Sequence, residues 1–175
     1  LNTEEESVYK SFLHRLKKIC KKASEVKTPI FIDAEESWIQ NAIDNIVFDL
    51  MKQYNKESVI VFNTLQMYRK DRINYLKSII NKAKNNKFKI GLKIVRGAYH
   101  EKEIERAKRK KYEIPVHLQK IDTDNDFNMS LKICIENIDL LSLCSGTHNV
   151  KSTEYLLELI LFFCLYNRRA LKYNI

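Results

Sequence analysis

The chain has 175 residues, 45% of them hydrophobic and 30% charged, with a formal net charge of +9 at pH 7. That length holds one domain with a real core, and the composition is that of a globular chain, not a disordered one. The longest apolar stretch, Leu156 to Tyr166, is broken by Glu158 and is too short for a membrane span. The acidic opening Glu4-Glu5-Glu6 has the wrong charge for a targeting segment, so a cytoplasmic protein is expected.

The positive charge raises nucleic acid and anionic membranes as partners. The lysines, however, are interspersed with glutamates, as in Lys102-Glu103 and Glu105-Arg106, and the densest cluster, Lys108 to Lys111, has no interleaved aromatic residues. A solvated basic surface is therefore expected, and nucleic-acid binding is not. Cys20, Cys134, Cys144 and Cys164 form no CxxC pair and read as buried thiols, and the histidines lack ligand spacing, so neither a disulfide nor a metal site is expected.

In chain order, Thr3 and Glu6 form a capping box ahead of a helix with Val8, Phe12, Leu13, Leu16, Ile19 and Cys20 at helical spacing. A short strand over 29–33 follows Thr28, then a helix from about Ser37 to Tyr54. A second strand is expected over 58–62 and a third helix from about Arg69 to Asn85. A third strand spans 90–95, followed by a basic helical piece near Glu103 to Lys110 and a break at Pro115. Asp124 or Asn125 is expected to cap the next helix, which runs through Ile138. The last strand covers 140–144, and a final helix starts near Ser152. Strands apolar on both faces, alternating with amphipathic helices, mean βα units in a parallel sheet. A doubly wound sheet and a (βα)8 barrel both fit; a barrel needs about 250 residues, roughly 30 per unit. No GxGxxG loop is present.

In such folds the strand exits converge on the face where ligands bind. All four exits here carry useful side chains: Asp33 and Glu35; Asn63, Thr64 and Gln66; Arg96 and Tyr99; Thr147, His148 and Asn149. One polar exit could merely cap a helix, but four with acid, amide, base and aromatic together point to a site. Asn55 to Glu57 belong at the opposite end. Lys93, inside a strand and pointing inward, needs an anionic partner.

The segments Ile32-Asp33-Ala34-Glu35-Glu36-Ser37-Trp38, Phe62-Asn63-Thr64-Leu65-Gln66-Met67-Tyr68, Leu92-Lys93-Ile94-Val95-Arg96-Gly97-Ala98-Tyr99 and Gly146-Thr147-His148-Asn149 stand in one order and spacing. In these the chain resembles the flavin-dependent proline dehydrogenase family, up to about Ile160. The resemblance implies a TIM-type (βα)8 barrel, of which residues 1–175 form a single domain from its central part. It also implies oxidation of L-proline to pyrroline-5-carboxylate, with hydride passing to N5 of FAD and electrons going on to a quinone at a membrane surface. On the same basis Asp33 and Tyr99 are active-site residues, and Gln66 hydrogen-bonds the flavin ring. Lys93 lies near N5, its anionic partner being the flavin or Asp33, and Val95 and Gly97 lie against the cofactor. Thr147 and His148 meet its phosphate–adenine portion, and Arg168 and Arg169 clamp the substrate carboxylate.

The C-terminal part departs from the family. Leu165 stands where a tyrosine is usual and Lys172 where an acid is. The stretch between Asn149 and Arg168 is too short for the two further strands of the family, and the first two strands have no counterpart. A fragment or internally deleted version is expected, slow with proline because the site lacks the walls that the missing strands, or a partner chain carrying them, would supply. The alternative is a non-catalytic remnant without flavin.

Overall fold

A computed structural model describes the backbone of residues 3–172 and the side-chain surroundings of residues 3–165. Four strands, β1 (Ile30–Ile32), β2 (Val61–Gln66), β3 (Ile90–Val95) and β4 (Leu141–Ser145), form one sheet in the order β1-β2-β3-β4. Every neighbouring pair is parallel, with Phe31 opposite Phe62, Thr64 opposite Lys93 and Lys93 opposite Cys144. Six helices accompany them: α1 (Thr3–Glu25), α2 (Ser37–Tyr54), α3 (Arg72–Asn86), α4 (His100–Lys110), α5 (Lys120–Glu136) and α6 (Val150–Lys172).

The strand residues alternate as the pleat requires. Val61, Leu65, Leu92 and Ile94 are buried in one core with Leu76 and Ile79 of α3 and Phe127 and Leu131 of α5. Residues of the other parity face a second, more open side, where the rings of Phe31 and Phe62 lie 4.6 Å apart and Lys93 reaches Asp33. The architecture is the expected partial barrel: four parallel strands with helices outside and a polar inner face.

Four element starts lie three or more residues from expectation, among them α4, which begins at His100 and not near Glu103. β2 lies three residues later than 58–62, because the wholly buried Asn55 holds its lead-in. The Asn55 side chain accepts the N–H groups of Ile60 and Val61 (2.9 and 2.8 Å) and donates to the Val61 carbonyl (2.8 Å), doing the work of a neighbouring strand. Asn63, Thr64 and Gln66 thus lie within the strand, each with a hydrogen-bond partner, not beyond it. α3 begins at Arg72, not Arg69: the Arg69 backbone bridges to Val116 and its guanidinium forks onto Asp71 at 3.0 and 2.7 Å. α5 begins at Lys120, leaving Asp124 a turn inside the helix, where it accepts from Arg96 and Lys120 instead of capping. By contrast Asn149 does cap α6, its side-chain oxygen accepting the Ser152 N–H at 3.1 Å.

Cys20 and Cys134 are buried, but Cys144 is half-buried and Cys164 exposed, against the expectation of four buried thiols. The apolar stripe of α1 is likewise split, with Cys20 in the core and Val8, Phe12 and Ile19 exposed. Among the described residues no helix is long and apolar enough to cross a membrane.

Candidate active site

The C-terminal ends of the four strands border an open cleft of about 590 Å³. Asp33, Gln66, Lys93, Tyr99, Thr147 and His148 all line it, as do Val95 and Gly97. Asn55 lies at the other end of the sheet, where its carbonyl accepts the N–H of Lys89 just before β3. The order of strands and exits alone put Asp33, Gln66, Tyr99, Thr147 and His148 at one end; Lys93, Val95 and Gly97 were expected there from the family resemblance. Arg168 and Arg169 fall on the last turns of α6, and their side chains lie outside the described residues.

Lys93, at the middle of β3, extends across the inner face of β2 to the exit of β1, where its ammonium meets Asp33 Oδ1 at 2.7 Å. Thr64 donates to the same oxygen from the intervening strand at 3.3 Å. The hydrogen bond from Lys93, with its charge and the Thr64 hydroxyl, holds the Asp33 carboxyl below the ordinary carboxylate range. A depressed folded value means that the pairing is complete above the unfolded pKa and is lost as pH falls through the folded one. Carboxyl-carbon NMR of Asp33 should therefore show an acid-shifted titration that returns toward the ordinary range in Lys93→Met. An Asp33 titration unmoved by that change would mean that Lys93 is not its partner in solution. Asp33 is 69% exposed, so the pair acts on the charge of the cleft, not on stability.

Gln66, at the end of β2, uses both ends of its amide to fasten two exits together. Its Nε2 donates to the Glu35 carbonyl (2.8 Å) and its Oε1 accepts the Ala98 N–H (2.9 Å). The second N–H of the amide has no protein partner among the described residues. Tyr99 donates its phenol proton to Glu35 Oε2 at 2.7 Å, and that hydrogen bond, then burial and the Glu35 charge, raise the phenol above its usual pKa. Behind it, wholly buried Glu103 of α4 accepts both the backbone N–H and the hydroxyl of Ser37 at 2.6 Å, fixing the start of α2.

Arg96 sits at the far wall. Its Nε donates to Asp124 of α5 (2.6 Å), one terminal nitrogen to Thr147 Oγ1 (2.7 Å) and the other to Ser152 of α6 (2.9 Å), with the guanidinium 4.3 Å above the Phe127 ring. Gly97 follows at φ 139°, a conformation glycine adopts without strain, and a Cβ there would strike the Tyr68 ring at 2.4 Å.

Sequence reading gave Arg96 no partner and missed Lys120, whose side chain reaches the cleft from the first turn of α5. It also missed the link from Glu35 to Tyr99. The spacing within each exit carried no sign of these contacts, which join residues far apart in the chain.

The family model described as proline dehydrogenase matches residues 2–168. Proline dehydrogenase 1, mitochondrial, of Drosophila melanogaster is 35% identical over 141 residues, covering 81% of this chain and 21% of that protein. The carbapenem antibiotics biosynthesis protein CarD of Pectobacterium carotovorum is 33% identical over 123 residues, covering 70% of this chain and 32% of its own length. The crystal structure of proline utilization A from Bdellovibrio bacteriovorus, inactivated by N-propargylglycine, superposes with a TM-score of 0.81 at 20% identity. It covers 86% of this chain and 16% of that one, a likeness of fold. The chain thus spans 21% to 32% of the length of these curated relatives. Fold, the ordered strand exits and the family match over 2–168 agree: the chain belongs to the proline dehydrogenase family.

Proposed function

We propose that this chain carries the flavin and substrate site of a proline dehydrogenase, oxidising L-proline to pyrroline-5-carboxylate with FAD as hydride acceptor and a quinone as final acceptor. The observation that carries the reading is the Lys93–Asp33 pair at the floor of the cleft, with Gln66 and Tyr99 on one side and Thr147 and His148 on the other.

The residues fit a flavin. A volume of about 590 Å³ is within the range of cofactor clefts, and hydrogen-bonding groups are spread along its length. Lys93 offers a cation and Gln66 its remaining N–H to the ring system. Val95 and Gly97 would lie against it, and Thr147 and His148 would hold the phosphate–adenine portion. When bound, FAD supplies a two-electron acceptor, and the protein contributes binding, orientation and electrostatics. Asp33 fixes the ammonium of Lys93 and adds negative charge where a cationic substrate group would sit. Arg168 and Arg169 take the carboxylate in this reading, a task suited to a bidentate guanidinium. In this reading a partner chain supplies further barrel strands, and the enzyme works in the cytoplasm, against the inner face of a membrane.

The test is to purify residues 1–175 with added FAD and follow proline-dependent bleaching of the bound flavin, beside Asp33→Ala. The expected result is a flavin absorption band and slow bleaching specific to L-proline, abolished by Asp33→Ala. Slowness follows from the open cleft, where water weakens every electrostatic contact. No flavin band at saturating FAD, or bleaching indifferent to proline, defeats the reading.

A further inference from the structure

We propose that Glu35 is the positioning residue of Tyr99, turning that phenol so that it presents a hydrogen-bond acceptor to the cleft. The two side chains meet at 2.7 Å, with Tyr99 as donor. A phenol has one proton and two acceptor sites. With the proton committed to Glu35, the oxygen faces any ligand as an acceptor only.

Glu35 suits this task because its own backbone is held on both sides. Its N–H donates to Oε1 of the buried Gln40 (2.8 Å), and Gln40 in turn donates to Asp44 (2.9 Å). Its carbonyl accepts from Gln66 (2.8 Å), whose other end takes the N–H of Ala98, the residue before Tyr99 (2.9 Å). Gln66 thus fixes the distance between the two main chains, and the Tyr99–Glu35 bond closes the loop at the side-chain level.

The charges around the phenol favour a donor ligand. Asp33 and Glu36 lie on the same exit as Glu35 and act on Tyr99 through their charge. Lys102, 5.8 Å from the Tyr99 ring, is paired with Glu36. A ligand with a protonated amine meets an acceptor oxygen beside carboxylates. The identity of that ligand, the ring amine of proline, rests on the function proposed above; the geometry of Glu35 and Tyr99 does not.

Phenolate absorbance isolates the pair. The difference between the wild-type titration and that of Tyr99→Phe gives the Tyr99 ionisation, because the other tyrosines cancel. Glu35→Gln keeps an acceptor but removes the charge, so the difference curve should move to lower pH; Glu35→Asp keeps the charge but shortens the reach and should move it less. A purely structural Glu35 acts through its main chain, which both variants retain, and would leave the curve where it was. An unmoved curve in both variants overturns the proposal. Ligand-observed NMR with L-proline on the FAD-loaded chain gives the second measurement. Proline affinity should fall about tenfold or more in Tyr99→Phe and Glu35→Ala and be largely kept in Glu35→Gln. Equal losses in Glu35→Gln and Glu35→Ala, with the curve unmoved, count against positioning. No proline binding to the wild-type chain defeats the proline reading, while the titration still decides the Glu35–Tyr99 coupling.

Discussion

Asp44→Ala is expected to destabilise the chain by about 3–5 kcal/mol, the cost of leaving a buried ion pair and its hydrogen bonds half made. Asp44 and Arg72 are each only 3% exposed at the side chain and meet at 2.6 Å. The other Asp44 oxygen accepts from Gln40 (2.9 Å) and Asn63 (3.0 Å). One carboxylate therefore ties α2, β2 and α3 together beneath the sheet. Removing it orphans three donors, one of them a charged guanidinium whose remaining carboxylate partner, Asp71, is half exposed. Against a total stability of about 5–15 kcal/mol for a domain, that loss leaves a large unfolded fraction. Urea unfolding followed by circular dichroism measures it, and a loss below about 1 kcal/mol would show that the network is relieved by water. Asp44→Asn keeps the shape and two of the acceptor contacts and should fall between. Asp44→Ala also reaches the cleft, because Gln40 loses its anchor and with it the hold on the Glu35 N–H.

What the sequence made legible was periodic or local. Four strands, their parallel pairing and their shared end followed from apolar runs alternating with helices. For Lys93 the constraint was stronger, since a lysine inside a strand and facing a lumen must find an anion; of the two candidates, a flavin and Asp33, the structure shows Asp33. The errors occurred where a side chain replaced main-chain logic. Asn55 holds the lead-in to β2, a role that an asparagine after a helix does not announce, and it moved the strand three residues along. Asp124 has the chemistry of a helix cap, but Arg96, 28 residues earlier in the chain, claims it. Glu35 and Tyr99 are separated by 64 residues, and only the parallel register of β1, β2 and β3 brings them together. Residue type foretold a polar pocket; the pairing inside it needed the fold.

Arg96→Ala should cost about 1–3 kcal/mol and, on the function proposed above, lower FAD affinity at least tenfold, the two losses having one origin. Arg96 is the joint between the last two strand exits. Its three nitrogens hold α5 through Asp124, the exit of β4 through Thr147 and the start of α6 through Ser152. Ser152 passes the contact on to Asn128 of α5 at 2.8 Å, so the joint is braced from behind. Thr147 and His148 line the cleft just past the last sheet contact, the Gly146 N–H donating to the Ile94 carbonyl of β3 at 2.8 Å, and this fork holds Thr147 beyond it. Lysine is no substitute: a point charge can keep the pairing with Asp124 but cannot fork to two hydroxyls at fixed angles. Arg96→Lys should therefore retain most of the stability and lose most of the flavin affinity, a split that general unfolding would not produce. Hydrogen exchange supplies the independent measurement, with the amides of residues 146–152 expected to exchange faster in both variants and those of β2 unchanged in Arg96→Lys. Protection at 146–152 equal to wild type, together with undiminished FAD binding, would mean that the β4 exit is held by its own Asn149 cap and that Arg96 is only a charge at the wall.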